Sequence, residues 1–493
     1  MRVVIIKDPA VDYCKDAPFH PQVKYPEYPF NETSMQNSCY DEVRNLLYKL
    51  GMDKDNFNKP SWNPLGDIVK PGDNVFIKPN FVNNINPVGS VECMITQGSV
   101  IRAVLDYVYI ALKGQGGVTI GDAPAVETDF DEVIRLTGVG SIAEYYSDKS
   151  LRLDIIDLRA EQGQTRLGRL LVKPLKGDPL GYSVVDLKNN SELTDIKGDI
   201  KKFRVNNYDI RYMREHHDSS KNEYCIANSI LNADVIINLP KLKTHNRTGI
   251  TCSLKNFVGI NGYKSWLPHH RAGSREDGGD EYEHRDVRKD MIIRIYDRIS
   301  STKRKYEIPP LWGCILLLNI SKMVIPYKDD FFDGSWHGND TIPRTISDLN
   351  KIVRYADKAG TLRDTPQRKM FILVDGIIAG EKEGPQSPSE KKCGILVAGY
   401  NPVEVDIVCS RIMGFDYRKM VMFRHAMGRK RYTLFEGNPR DIEIAADNCR
   451  SLDDIYDAFG CDFMPPLGWR GHIEYVREEK AKALVKVSPI ASK

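Results

Sequence analysis

Side chains able to hold an anion or move a proton crowd one short stretch of this chain. Lys241, Lys243 and His245 alternate in Leu239-Pro-Lys-Leu-Lys-Thr-His245, and Lys255 and Asn256 follow in Leu254-Lys-Asn-Phe-Val-Gly259. Thr251, His269 and His270 lie close by, among Gly249, Gly259 and Gly262, where glycine lets backbone approach a ligand. In one reading, Lys243, Lys255, Lys78 and Asn80 hold a carboxylate or phosphate while His245 shuttles a proton, since histidine titrates near neutrality. Neighbouring lysines favour its neutral, basic form. In the other reading, His245 with His269 or His270 gives imidazole ligands to a divalent metal, and Asp122, Asp375 or Asp406 adds oxygen ligands. The catalytic set is then His245, Lys255, His270 and Lys243. Lys78, Asn80, Lys241, Thr251, Asn256 and His269 are expected to bind the substrate.

These residues need strands to place them. Ala233-Asp-Val-Ile-Ile-Asn238 reads as a buried strand, so the charges begin where it ends. Ligands of α/β proteins bind in the crevice at the carboxyl ends of strands. Residues 74–78 and 117–120 read as further strands around a helix at 99–112, and they end in Lys78-Pro-Asn80 and Gly121-Asp122. Residues 370–374 form another, ending in Asp375-Gly376, before a strand at 394–398 and a helix at 402–413. The spacing predicts that Lys78, Asp122, Lys243, His245, Lys255 and Asp375 converge on one pocket. Glu381, in the loop 380–388, is read as a substrate clamp, and His337, in Trp336-His-Gly-Asn339, as a pocket wall.

The expected class is α/β, with mostly parallel sheets and helical crossovers, in two lobes that enclose a basic crevice. An N-terminal extension (1–70) precedes a core (71–270) with a charged insertion at about 148–220. A loop and helical connector (271–340), a second lobe (341–420) and a C-terminal extension (421–493) follow. The glycine-rich loop 272–280 reads as a mobile lid, and the apolar run 311–324, too short to cross a bilayer, as a buried element.

Net charge is only +3 from 70 basic and 67 acidic side chains, so no global field favours nucleic acid or an anionic membrane. Ten cysteines without a Cys-x-x-Cys pair give no iron–sulfur or zinc-ribbon pattern and suit a reducing cytoplasm, and no secretion signal is visible. Gly262-Tyr-Lys264-Ser265 lacks the Gly-Lys adjacency of a P-loop, and Gly138-Val-Gly140-Ser-Ile-Ala143 follows a helix-like run where the dinucleotide fingerprint requires a strand. The zinc-protease and α/β-hydrolase motifs are missing. A small anionic molecule is the expected partner, and a homo-oligomer is compatible with the sequence.

The chain resembles the DUF362 family over most of residues 70–420. The resemblance rests on Lys78-Pro-Asn80, Gly121-Asp122, the 239–245 and 254–259 motifs, Thr251, Asp375-Gly376, Gly384-Pro385, Asn401-Pro-Val-Glu-Val-Asp406 and Met413-Gly414. Many members look like fusions to a ferredoxin-like domain, and this chain lacks the cysteine run for a cluster. It is also similar to the nickel-pincer lactate racemase family through Ala233-Asp234, His245, Lys255 and His269 or His270. That similarity implies a lysine tethering a pyridinium-derived nucleotide and histidines for proton transfer, although Ser253-Leu254 replaces the Gly-Gly before the lysine. The expected activity is proton or hydride transfer on a hydroxy acid or sugar acid. The alternatives are a non-catalytic module for an anionic metabolite and a nucleotide-using ligase without a P-loop.

Overall fold

The computed structural model describes residues 2–196, 200–205, 208–428, 431–449 and 451–476. Small parts of the expected insertion and the end of the C-terminal extension lie outside the described residues. In chain order the elements that matter are β1 (Arg2–Lys7), α1 (Ser38–Lys49), β2 (Asn74–Pro79), α2 (Gly98–Leu112), β3 (Gly117–Asp122), α3 (Val139–Asp148) and β4 (Leu153–Asp157). Then come β5 (Val235–Leu239), β6 (Lys241–His245), β7 (Gly249–Thr251), α4 (Thr341–Tyr355), β8 (Lys369–Glu383), β9 (Ser387–Gly399), α5 (Pro402–Ile412) and β10 (Glu443–Ala445).

These strands make one ten-stranded sheet in the order β10-β1-β9-β8-β5-β2-β3-β4, with β6 paired to β8 and β7 to β6. The run β8-β5-β2-β3-β4 is parallel throughout. Strand alternation divides the apolar residues between two cores. Val75, Ile77, Val235, Ile237, Phe371 and Leu373 face α1, α2 and α3, whereas Phe76, Ile236, Ile372 and Val374 face α4 and α5. Each large apolar side chain so buried contributes about 1.5–3 kcal/mol, and helices on both faces explain why the central strands read as continuous apolar runs.

The strands of residues 341–420, expected as a second lobe, join this same sheet, with β8 lying directly beside β5. The segment after Pro240 is itself a strand, and its pairing with β8 shifts register between Lys241 and Lys243. The loop 272–280 is not a free lid. Asp280 ties it down, accepting hydrogen bonds from the Asp340 N–H at 3.0 Å and the Thr341 hydroxyl at 2.6 Å. The apolar run 311–324 is not a buried element either, since it falls mostly in an outward-facing helix, Ile308–Ser321. Among the described residues, no helix is long and apolar enough to cross a membrane.

Candidate functional site

A cavity of about 360 Å³ opens at the carboxyl ends of β2 and β3, and β6 and β7 lay their residues along it. Its polar lining includes Asn80, Asp122, Lys243, His245, Arg247, Thr251, Lys255, Asn256, Lys264 and His269. Strand alternation puts Lys243 and His245 on one face of β6, and the hairpin to β7 sets Thr251 across from Lys243. Gly249 makes that hairpin possible, with φ at +81° and a hypothetical Cβ only 2.7 Å from Met420 Sδ. Asp406, reaching from α5, accepts the Ser253 and Leu254 N–H groups at 2.7 and 3.0 Å. It thereby fixes the helical turn Ser253–Asn256 that presents Lys255 and Asn256. Burial pushes the Asp406 carboxyl up to about 6.

One wall is a polar network. Lys78 and Asp122 form a buried ion pair at 2.6 Å, and the Asp122 carboxylate also accepts the Phe81 N–H at 2.7 Å. Asn256 donates to the Lys78 carbonyl at 2.9 Å, and its carbonyl oxygen accepts from Asn80 at 3.1 Å. Lys243 donates to Asn80 Oδ1 at 2.8 Å and to the Met94 carbonyl. The Thr251 hydroxyl is buried with no hydrogen-bond partner among the described residues.

The rest of the lining gathers the basic groups Lys255 and Lys264 with Arg247, whose charge is countered by Asp333 and Glu281. Burial, then Arg247, pushes the Lys255 ammonium down to about 7, and Lys255 has no hydrogen-bond or ion-pair partner among the described residues. Burial takes Lys264 down to about 7 as well, and Lys243 falls well below its ordinary range through burial and the nearby Lys255. Burial and these cations hold both His245 and His269 neutral, far below the usual imidazole range.

The two imidazoles carry their protons on different nitrogens. His245 Nδ1 accepts the Arg247 N–H at 3.0 Å, so its proton sits on Nε2. His269 Nδ1 donates to the Leu267 carbonyl at 2.7 Å, which leaves Nε2 with a lone pair. His269 Nε2 is therefore able to accept a hydrogen bond and His245 Nε2 to donate one.

Several predicted residues lie elsewhere. Lys78 is fully buried beneath the pocket wall. Lys241 and Asp375 pair with each other at 3.0 Å, with the Tyr13 hydroxyl on both, because register sets them opposite one another on β6 and β8. His270 sits apart with Glu281 and Asp333, the one group of three or more metal-ligating side chains found among the described residues. The expected metal set of His245, His270, Asp122, Asp375 and Asp406 does not converge, since each carboxylate is engaged separately. His337 stacks on His472 with ring centroids 3.6 Å apart, and Glu381 binds Lys391 at 3.2 Å and the Met464 N–H at 2.9 Å. Glu381 lies within β8 and not in a loop, but Pro385 and Gln386, in the turn between β8 and β9, do reach the pocket. Arg247 and Lys264 were missed, although Arg247 falls two residues after His245 and Lys264 lies in the glycine-flanked segment rejected as a P-loop.

Helices on both faces of a largely parallel sheet, with a cavity lined by basic groups at the carboxyl ends of its strands, make this an α/β fold. The family model described as "Domain of unknown function (DUF362)" matches residues 75–166 and 182–411, and the chain belongs to that family. No curated protein and no solved structure matches it. Nothing in these comparisons supports the similarity to nickel-pincer lactate racemases.

Proposed function

We propose that the pocket belongs to an enzyme that binds a small carboxylate- or phosphate-bearing molecule, such as a hydroxy acid or sugar acid, and moves a proton on an atom beside the charged group. The observation that carries this reading is the opposite tautomers of His245 and His269 in one cation-lined cavity. The anion enters among Lys255, Lys264 and Arg247, and its charge raises the depressed basicity of His269. The Nε2 lone pair of His269 then takes the proton, while the electron pair stays on the substrate. Lys243 and the His245 Nε2–H, which line the same cavity, support the negative charge left there.

The test is incubation in D2O with a panel of hydroxy acids and sugar acids, followed by mass spectrometry of the recovered acid. Deuterium should enter one carbon-bound position of at least one acid. His269→Gln should abolish this exchange with affinity kept within a few-fold, whereas His245→Gln should weaken binding. Tight binding of an acid with no exchange would leave a non-catalytic binding module as the better description.

A further inference from the structure

The helix Ile308–Ser321 holds most of the longest apolar run in the chain, yet it lies on the outside of the protein. Its inner edge, including Ile308 and Ile315, packs on Ile299 of the preceding helix, Val287–Ser301. The remainder meets water: Leu316, Leu317 and Ile320 are 61%, 68% and 49% exposed, and Met323 and Val324, just beyond the helix, 83% and 82%. A contiguous apolar surface of this kind marks a docking site.

The charges around it say what docks. Between residues 303 and 330 the cations are Lys303, Arg304, Lys305, Lys322 and Lys328; of the carboxylates, Glu307 is tied to Arg298 and Arg304 and Asp329 to Lys289, which leaves Asp330 exposed beside Lys328. An exposed helix that is apolar nearly all round, with cations before and after it, can sink side chains below the headgroups of an anionic bilayer while those cations stay at the surface. Protein interfaces, by contrast, are depleted in lysine. We propose that this face docks on an anionic phospholipid membrane, with Leu316, Leu317, Ile320 and Met323 entering the lipid and the flanking cations meeting its headgroups. The low net charge of the whole chain does not oppose this, because attraction to a surface is local and fades within a Debye length.

The docking face reaches the pocket. Trp312 Nε1 donates to the Leu167 carbonyl at 2.9 Å, and Leu167 is the exposed turn of the hairpin formed by strands Glu161–Arg166 and Arg169–Pro174. Thr165 and Leu170 of that hairpin line the cavity, so docking brings one wall of the pocket to the membrane surface.

The experiment uses the full chain in co-sedimentation with vesicles of phosphatidylcholine alone or carrying about one third phosphatidylserine. Cys314, the one exposed cysteine, takes an environment-sensitive dye as a second readout. Binding is expected with the anionic vesicles, with a blue shift of the dye and a loss in high salt. Leu316→Glu with Leu317→Glu should lower partitioning by about tenfold or more. Lys303→Glu with Lys305→Glu should lower it similarly, and unchanged thermal scans would show both variants folded. No binding to anionic vesicles, or equal and salt-insensitive binding to both kinds, overturns the proposal. So does a dimer that the paired glutamates dissociate in protein that ignores vesicles, since the face would then join two copies of the chain.

Discussion

Lys78 and Asp122 meet at 2.6 Å because the residue packed against them, Gly259, has no side chain. A Cβ there would stand 1.9 Å from Asp122 Oδ1 and 2.8 Å from Lys78 Nζ. The pair, which comes from two neighbouring parallel strands, anchors the pocket wall through Asn256.

Gly259→Ala should therefore force the pair apart and leave two poorly compensated buried charges. The expected cost is about 3–5 kcal/mol, read by urea unfolding. Gly117→Ala, where the nearest atom would lie 3.5 Å from the new Cβ, is the control. A loss at Gly259 no larger than the control would show that the wall relaxes freely.

Lys241 and Asp375 give a contrasting prediction. Both are fully buried outside the pocket, so Asp375→Leu alone should cost about 3–5 kcal/mol, and adding Lys241→Met should restore much of the loss. Anion binding by the double variant should stay near that of the unaltered protein. A large fall in affinity at unchanged stability would return this pair to the binding site.

The depressed Lys255 ammonium makes stability depend on pH in a defined direction. Between its folded value of about 7 and its ordinary value of 10.5, the unfolded chain holds the proton and the folded chain does not, so stability rises with pH across that window. Below about 7 both states are protonated, and the cost of burying the ammonium, with the repulsion from Arg247 and Lys78, is fully felt, offset only in part by Asp122. Lys255→Met should thus stabilise the ligand-free protein by about 1–3 kcal/mol at acidic pH, after discount for solvent screening, and the gain should vanish as pH approaches 10.5. Thermal scans across pH check this, and a loss of several kcal/mol at acidic pH would mark Lys255 as a structural ion-pair partner instead.

The same shift predicts proton uptake. Above about pH 7 the free pocket holds Lys255 and Lys264 largely neutral, and a bound anion favours their charged forms. Titration calorimetry with a binding acid from the panel, in buffers of different ionisation enthalpy, should show protons taken up near pH 8, with affinity falling as pH rises. Binding that neither takes up protons nor weakens with pH would place the anion away from these lysines.

Much of this site could be read in the sequence, because β-branched runs with polar ends locate strand tips. Asn80 falls just past the tip of β2 as that rule requires, whereas Lys243 and His245 lie within β6 and Lys255 and Asn256 on the helical turn after β7, although all five line the cavity. The rule fails where long-range register decides. Lys241 and Lys243 are the same residue type two positions apart, yet Asp375, 134 positions away in the chain, captures the first and leaves the second to the pocket. His269 and His270 are adjacent, and only the three-dimensional path sends one to the pocket and the other to Glu281 and Asp333. The proton positions on His245 and His269 depend on the Arg247 N–H and the Leu267 carbonyl, which no residue pattern reveals. Composition also misplaced the helix Ile308–Ser321, since it reports that apolar residues must be covered without saying by what.

The hydrogen bond from Trp312 to the Leu167 carbonyl carries an obligation of reciprocity. If contact at the outer helix changes the pocket's affinity for its anion by some factor, filling the pocket must change the strength of that outer contact by the same factor. A metabolite would then govern how long the protein stays at a surface, and the surface would govern how readily the metabolite is held.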